Sequence, residues 1–360
     1  MDNVWLVNGK LVLPDHVFNG VIQVVDGTIR AIRRRAPSTG TYIDARGAYV
    51  APGFLDLHIW GDPSTIAREA VRAGTTAFLT TLGPAPQRTL LGQVAERASA
   101  TRAPGAYCLG IHLEGPFVNP RRGGALPRRG MRAPTIQALR ELQQAATGRI
   151  KLMTLAPELP GALATIRWSA AQRIVVSLGH SDADAASISC AVDAGVRAVT
   201  HVFNGMPPFH HRRPSLLDAA LTDDRLTTMV ILDGVHVSPS AFRLLVRAKS
   251  AERIALVTDS IEHQGWDVIK RHGAYYRRDG TLAGSSLTMM QAVRNAVRLG
   301  GVSLSDAVRM ASEVPARLLG LQRSRGALEV GKRADLVTFN EQFQVLMTIV
   351  NGKIVYQRGP

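Results

Sequence analysis

The stretch FLDLHIWGD, residues 54–62, joins an apolar run to a histidine and raises the question of a metal site. A strand ending in His-x-His presents two imidazoles at its tip, because alternate side chains of a strand lie on one face. Here His58 is followed two residues later by Trp60. A single imidazole beside an indole is a poor site for a cation, so any metal must depend on ligands from elsewhere in the chain.

Polar residues with metal-binding or acid–base side chains end several other apolar runs. In chain order they are His58, Glu114, His180, His201, Asp233 and Asp259. If the runs are parallel strands of one barrel, their carboxyl ends meet on one face, where active sites of such barrels lie. Core packing alone rarely places so many ligands at one face. The pattern predicts a metal centre with proton-transfer groups beside it.

The elements that must position these residues are eight apolar runs separated by amphipathic helical segments. This alternation is typical of βα units and predicts an α/β fold, a (β/α)8 TIM-type barrel. The predicted strands are GFLDLH (53–58), TAFLTT (76–81), YCLGIHLE (107–114), IKLMTL (150–155), RIVVSLGH (173–180), VRAVTH (196–201), TMVILDG (228–234) and RIALVTDS (253–260). Two further helices are expected at about 287–299 and 303–319.

Short alternating segments at both ends of the chain predict a second, smaller unit. NGKLV at 8–12 is echoed by NGKIV at 351–355, and glycines separate the neighbouring runs. We expect residues 1–50 and 325–360 to form one small β-sandwich, with residues 51–324 inserted between them as the barrel.

Composition narrows the class of partner. The chain has 43 Lys and Arg against 28 Asp and Glu, a formal net charge of +15, which suits an anionic small molecule. The arginines are scattered without interleaved aromatic residues, so nucleic-acid binding is not expected. Cys108 and Cys190 lack metal or disulfide spacing. With no signal peptide and no apolar run near membrane length, we expect a cytoplasmic protein without a membrane span.

Seven motifs in order resemble the amidohydrolase superfamily, and within it the N-acetylglucosamine-6-phosphate deacetylase family. They are PGFLDLH, HLEGPF (112–117), SLGHS (177–181), THVFNGMPP (200–208), DGVHVSP (233–239), LVTDS (256–260) and GTLAGSSLTMMQAVRN (280–295). The resemblance extends to GKRADLV near the C-terminus. It implies a metal-dependent hydrolase that removes an acyl group from an N-acyl amino sugar, N-acetylglucosamine-6-phosphate or a related anionic compound. We also expect a homodimer.

The resemblance implies Glu114, His180 and His201 as ligands of one divalent ion. Two imidazoles and a carboxylate leave a fourth position for water, the arrangement of a catalytic Zn²⁺ site. Bound water then ionises near neutral pH and supplies hydroxide. Asp259 corresponds to the general base and acid of the family. For His58 three roles stay open: a neighbour of the ligands, a fifth ligand, or a packed core residue.

The resemblance further implies that Asn204, the backbone around Gly205, Arg212 and His236 hold the sugar phosphate. Arg212 would act in its own subunit or reach into a neighbouring one. A guanidinium suits this role, because it offers a phosphate two parallel hydrogen bonds.

Three departures from the family concern the pocket. The loop after the first strand is shorter than usual, and Leu126 stands where the family has a histidine that polarises the amide carbonyl. The segment VTDSIEHQGWDV replaces the usual sequence after the last strand and brings His263 near the site. We therefore expect N-acetylglucosamine-6-phosphate to be at best a poor substrate. Two alternatives stay open: a specialised-metabolism hydrolase of a different small amide, and a barrel that binds metal and ligand without turnover.

Overall fold

The structure, a computed structural model, describes residues 3–100, 103–261 and 267–359. The chain begins with five strands, β1 (Asn3–Val12), β2 (Val17–Val25), β3 (Thr28–Arg33), β4 (Thr41–Asp44) and β5 (Tyr49–Pro52). β1 and β2 pair antiparallel, as do β2 and β3, whereas β4 and β5 pair with β1 in parallel.

Strands and helices then alternate along the chain as predicted. They are β6 (Phe54–Trp60), α1 (Pro63–Ala70), β7 (Thr75–Leu82), α2 (Gln87–Ser99), β8 (Tyr107–Glu114), α3 (Ile136–Ala145), β9 (Ile150–Leu155), α4 (Ala162–Ala171), β10 (Val175–Leu178), α5 (Ala185–Ala194), β11 (Ala198–Val199), α6 (Leu216–Thr222), β12 (Thr227–Ile231), α7 (Pro239–Ala248) and β13 (Ile254–Val257). Each of the eight predicted runs overlaps one of these strands.

The eight strands from β6 to β13 form one parallel sheet in chain order. A parallel bridge between Ile59 and Ser260 brings its two edges together. Buried Asp56 strengthens this closure, since its Oδ2 accepts a hydrogen bond of 2.6 Å from Thr258 Oγ1. The predicted eight-stranded barrel is therefore confirmed as a nearly closed barrel.

The remaining elements follow the barrel strands. Three short strands make an antiparallel sheet, β14 (Ile269–Arg271), β15 (Ala274–Tyr276) and β16 (Leu282–Ser285). After them come α8 (Met289–Arg298), α9 (Leu304–Ala311), α10 (Glu313–Leu318), β17 (Leu336–Phe339), β18 (Val345–Val350) and β19 (Lys353–Gln357). The helix expected at 303–319 is thus split at Ser312, whose φ of −134° is not helical. Pro315 lies just beyond it and has no N–H to continue the preceding helix.

The two ends of the chain meet in one sheet. Its order is β19-β18-β17-β5-β1-β2-β3, with β4 also on β1, and the antiparallel pair of β17 and β5 joins the ends. Residues from both ends share a hydrophobic core, among them Leu11, Ile22, Leu336 and Ile349. A common β-structure of the two ends is therefore observed, whereas the two packed layers of a sandwich stay a prediction.

The loop after the first barrel strand is short, as the sequence indicates. β6 ends at Trp60 and α1 begins at Pro63, with Asp62 as its N-cap. The Asp62 carboxylate accepts hydrogen bonds from the backbone N–H groups of Ser64 and Thr65 at 3.0 and 2.9 Å. Within residues 3–100, 103–261 and 267–359, no helix is both long and apolar enough to cross a membrane.

Candidate metal centre and catalytic cavity

The predicted ligands come from three barrel strands that end on the same face. Glu114 is the last residue of β8, while His180 and His201 each lie two residues beyond β10 and β11. All three side chains are buried. His180 and His201 have left-handed backbone conformations, with φ of 48° and 29°. Such conformations cost of order 1–3 kcal/mol each in non-glycine residues and cluster at functional sites.

The three side chains converge at their ligand atoms. Glu114 Oε1 lies 2.9 Å from His180 Nε2 and 2.8 Å from His201 Nε2, and the two imidazole nitrogens are 3.1 Å apart. These separations approach the roughly 3.3 Å expected between tetrahedral ligands of a zinc ion. One carboxylate and two imidazoles are also the donor types that zinc takes in hydrolases. The residues therefore fit a divalent ion.

Neighbouring groups prepare these atoms for a metal. His180 Nδ1 lies 2.8 Å from the carbonyl oxygen of Arg122, and donation of its proton there leaves Nε2 as a lone-pair donor. Burial alone would raise the pKa of the Glu114 carboxyl, but the imidazoles of His58, His180 and His201 hold it well below its usual range. Glu114 is therefore ionised and able to ligate.

His58 and Asp259 form a second cluster that shares Glu114. His58 Nε2 lies 3.2 Å from Glu114 Oε2 and 3.2 Å from Asp259 Oδ1, so these three residues are also a possible ligand group. Burial alone would lower the pKa of His58, but the carboxylates of Glu114 and Asp259 raise it to about 9. In the structure His58 contacts Glu114 without belonging to the first ligand group.

Trp60 contributes a hydrogen bond that the sequence did not suggest. Its indole Nε1–H donates to Asp259 Oδ1 at 2.9 Å. Among the described residues, Oδ1 thus accepts a hydrogen bond from Trp60 and lies within ion-pair distance of His58 Nε2, whereas Oδ2 accepts no hydrogen bond from them. Asp259 lies two residues beyond β13 with a φ of 48°, a third left-handed residue at this face. Within the described part of the chain, the Asp259 carboxylate is therefore held through Oδ1.

A cavity of about 210 Å³ opens above the predicted metal ligands. Its lining includes three of the four predicted substrate contacts, Asn204, Gly205 and His236, together with Leu126. No arginine or lysine is among the described residues that line it. Arg212 is exposed and its guanidinium contacts His211 at 2.7 Å. An anion in this cavity would therefore need a positive group from outside the described lining, and the role of Arg212 stays a prediction.

The three predicted substrate contacts that line the cavity, Asn204, Gly205 and His236, are held in fixed positions. His236 Nδ1 lies 2.6 Å from Asp233 Oδ2, and the other oxygen of Asp233 accepts the backbone N–H groups of Val235 and His236. The Asn204 amide donates to the carbonyls of His201 and Val202, which leaves its own oxygen available. Gly205 has a φ of 64°, and a Cβ there would lie 2.9 Å from His180 Nδ1.

Some lining residues were not predicted. Thr281 to Gly284, in and beside β16, line the cavity, and Ser285 N–H bonds the carbonyl of Asp259 at 2.9 Å. The glycine-rich run GTLAGSS marks this segment in the sequence, although no acid–base residue draws attention to it. His263 lies outside the described residues. Leu126 is buried against the cavity, where its side chain offers no hydrogen-bond donor.

Comparison with known proteins agrees with this geometry. The model of the amidohydrolase family matches residues 49–355. N-acetylglucosamine-6-phosphate deacetylase of Bacillus subtilis (strain 168) is 34% identical over 94% of this chain and 93% of its own length. N-acetylgalactosamine-6-phosphate deacetylase of Escherichia coli O157:H7 is 35% identical over 92% of this chain and 94% of its own length.

Solved structures give the same result. N-acetylglucosamine-6-phosphate deacetylase of Pasteurella multocida superposes with a TM-score of 0.88 at 28% identity, covering 99% of this chain and 100% of that one. A Mycobacterium smegmatis enzyme of the same name, a variant in complex with N-acetyl-D-glucosamine-6-phosphate, gives 0.89 at 31% identity with the same coverage. The chain therefore belongs to the amidohydrolase family and, within it, to the N-acetylglucosamine-6-phosphate deacetylase family.

Proposed function

We propose that this chain is a metal-dependent hydrolase that removes the acyl group of an N-acyl amino sugar, N-acetylglucosamine-6-phosphate or a related anionic amide. The observation that carries the proposal is the convergence of Glu114, His180 and His201 beside an Asp259 carboxylate whose Oδ2 accepts no hydrogen bond from the described residues. The names of the relatives support the substrate class.

Glu114, His180 and His201 would hold one divalent ion, with Zn²⁺ the best match to the donor set. Such an ion, when bound, lowers the pKa of a coordinated water and polarises a substrate carbonyl. We propose a single ion, because the Trp60 indole proton points at Asp259 Oδ1 and occupies a direction that a second cation would need. An indole offers a donor only and cannot replace that ligand.

Asp259 would carry the proton. Its Oδ1 is held by Trp60 and His58, so Oδ2 is the oxygen available to accept a proton from the attacking water and to return it to the departing amine. General acid–base catalysis of this kind contributes roughly 10² to 10⁴ in rate. Return of the proton to the nitrogen matters because a neutral amine is a far better leaving group than the deprotonated amine anion.

Asn204, Gly205 and His236 would bind the sugar, since they line the cavity with oriented polar groups. Arg212 would bind the anionic group from a neighbouring subunit of a homodimer, which agrees with its exposure and with the exposed Phe209 in the same loop. Light scattering of the purified protein tests the dimer.

We also propose that residues 1–50 and 325–360 form the smaller unit and that residues 51–324 form the barrel unit. The compartment that we propose for the protein is the cytoplasm.

Leu126 favours a second candidate function. The amide oxygen gains negative charge during attack, and Leu126 cannot donate a hydrogen bond to it. A hydrolase for a different small amide would explain this residue. A barrel that binds without turnover has less support, because the chain keeps Asp259 and a complete group of candidate ligands.

The test is release of primary amine from a panel of N-acyl amino sugars with and without a phosphate. The protein is stripped with a chelator, reloaded with zinc, and compared with the stripped form. Metal-dependent release from at least one member supports the function. Release that survives complete metal removal, or no release from any amide, contradicts it.

A further inference from the structure

A second cavity of about 420 Å³ adjoins the catalytic one. It lies beside the loop of Gly83, Pro84 and Ala85 that follows β7, and Gln93 of α2 also lines it. Trp60 and Pro127 line both cavities. The two spaces therefore meet along these side chains, and we call the second one the side groove.

The junction between the cavities is apolar. A Cβ on Gly83 would lie 2.8 Å from Trp60 Cη2 and 3.6 Å from Leu126 Cδ2, so both side chains pack against the glycine backbone. The indole N–H is used by Asp259, which leaves the six-membered ring of Trp60 to face Gly83. A ligand that passes here meets carbon surfaces next to the metal ligands.

The wall of the side groove is fixed in place. Arg132 Nη1 donates to the carbonyl oxygens of Ala85 and Gly130 at 2.9 and 2.8 Å. Gly130 packs directly on Ala85, since a Cβ there would lie 2.4 Å from its backbone nitrogen. At the far end Asp62 Oδ2 and Arg97 Nη1 are 3.6 Å apart, so these two charges face each other. The groove is thus formed before any ligand binds.

Barrel order places the side groove opposite the polar side of the cavity. The groove residues follow β6, β7 and β8, whereas Asn204 and Gly205 follow β11, and His236 follows β12. In a ring of eight parallel strands in chain order, β7 and β11 lie across from each other. An N-acyl amino sugar has a polyol on one side of its amide and an acyl group on the other. With the amide at the proposed metal ligands, the polyol matches the polar side and the acyl group matches the apolar entrance of the groove.

We propose that the side groove is an acyl subsite, and that the substrate is an amide whose straight, apolar acyl group is longer than acetyl. This inference rests on the proposed function. It accounts for Trp60, Leu126 and Gly83 together, because all three make carbon surface at the entrance to the groove.

The experiment compares N-hexanoyl- and N-acetyl-glucosamine-6-phosphate with the zinc-loaded protein. Each buried methylene is worth about fourfold, so hexanoyl should have a kcat/KM at least about tenfold above acetyl even if only half of its extra chain is buried. Two variants narrow the groove from different elements, Ala85→Phe and Gln93→Phe. Each variant should lower kcat/KM for the N-hexanoyl compound several-fold more than kcat/KM for the N-acetyl compound. Ala164→Phe, an exposed helix position outside the groove, is the matched control and should keep the wild-type ratio.

Binding of the same two compounds to the metal-loaded Asp259→Asn variant, measured by calorimetry, does not depend on turnover. Tighter binding of hexanoyl, lost when Ala85→Phe or Gln93→Phe is added, supports the subsite. A wild-type preference for acetyl, or a ratio unchanged in both groove variants, overturns it. If no amide is hydrolysed while hexanoyl binds through the groove, the proposed function fails and the subsite stands.

Discussion

At the scale of single residues, the structure assigns unequal roles to the two oxygens of Asp259. Oδ1 is held by Trp60 and His58, and the described residues leave Oδ2 without a hydrogen bond. The proposed metal ligands are a separate set, since Asp259 does not contact His180 or His201 through any hydrogen bond in the described chain. Proton transfer and metal binding should therefore respond to different substitutions.

Asp259→Asn should retain the metal and lose turnover. The amide fills the same space but cannot accept a proton, so kcat should fall roughly 10² to 10⁴. His180→Ala should instead lose metal and activity together. Metal analysis and amine-release kinetics on both variants check this. A near wild-type rate in Asp259→Asn would mean that another group, with His263 the first to examine, carries the proton.

Trp60→Phe should weaken catalysis without releasing the metal. It removes one hydrogen bond to a charged oxygen, worth about 1.5–3 kcal/mol, so kcat should fall about 10- to 100-fold. The change should appear in kcat more than in KM, because the substitution disorders the proton carrier. Trp168→Phe in α4 is the control. Equal kinetics in the two variants would contradict a role of Trp60 in orienting Asp259 and would leave it only lining the cavity.

Leu126→His should improve hydrolysis of N-acetylglucosamine-6-phosphate. It supplies a donor for the developing charge on the amide oxygen, and loss of one such donor elsewhere costs roughly 10² to 10³ in rate. Metal affinity should not change, since Leu126 lies outside the ligand group. If the unmodified protein already turns this sugar phosphate over efficiently, another donor must act in its place.

At the scale of elements, a buried ion pair ties the C-terminal segment to the start of β8. The Arg325 guanidinium pairs with Asp335 and lies 4.8 Å from the centre of the Tyr107 ring, and Arg325 and Asp335 are only 7% and 6% exposed. Tyr107 begins the strand that ends at Glu114, so the pair lies at the end of β8 away from the metal ligands.

Asp335→Asn should destabilise the fold while sparing the site. It leaves a buried guanidinium uncompensated, which costs about 3–5 kcal/mol. Denaturant unfolding measures the loss, and metal content should stay at the wild-type value. Asp267→Asn, which breaks an exposed pair with Arg278, should change the unfolding free energy by less than about 1 kcal/mol. Similar losses in the two variants would contradict the structural role of the buried pair.

The sequence allowed the barrel strands to be predicted because buried parallel strands are continuous apolar runs. The candidate ligands could be found because the runs at 107–114, 173–180 and 196–201 each end in Glu or His, and the family resemblance selected the same residues. The small sheet β14–β16 was missed, since its strands have only three or four residues and no clear alternation. The Trp60–Asp259 hydrogen bond was also missed, because 199 residues separate its partners and only the closure of the barrel brings them together.

At the scale of the whole molecule, both chain ends combine in one sheet while the barrel strands converge on a single carboxyl face. The pairing of the ends could be predicted from the repeated NGK segments, but the order of strands could not, because local pattern does not specify long-range partners. The same limit applies to the cavities. The walls of the side groove are loops after three successive strands, and the conformation of these loops depends on contacts such as those of Arg132.

The central claim is that Glu114, His180 and His201 hold one catalytic ion. An anomalous-difference map, recorded at the zinc absorption edge from crystals of the zinc-loaded protein, tests it most directly. The account predicts one peak per chain, bonded to Glu114 and to the Nε2 atoms of His180 and His201. A peak bonded to His58 and Asp259, two peaks of similar height, or no peak at all would contradict it.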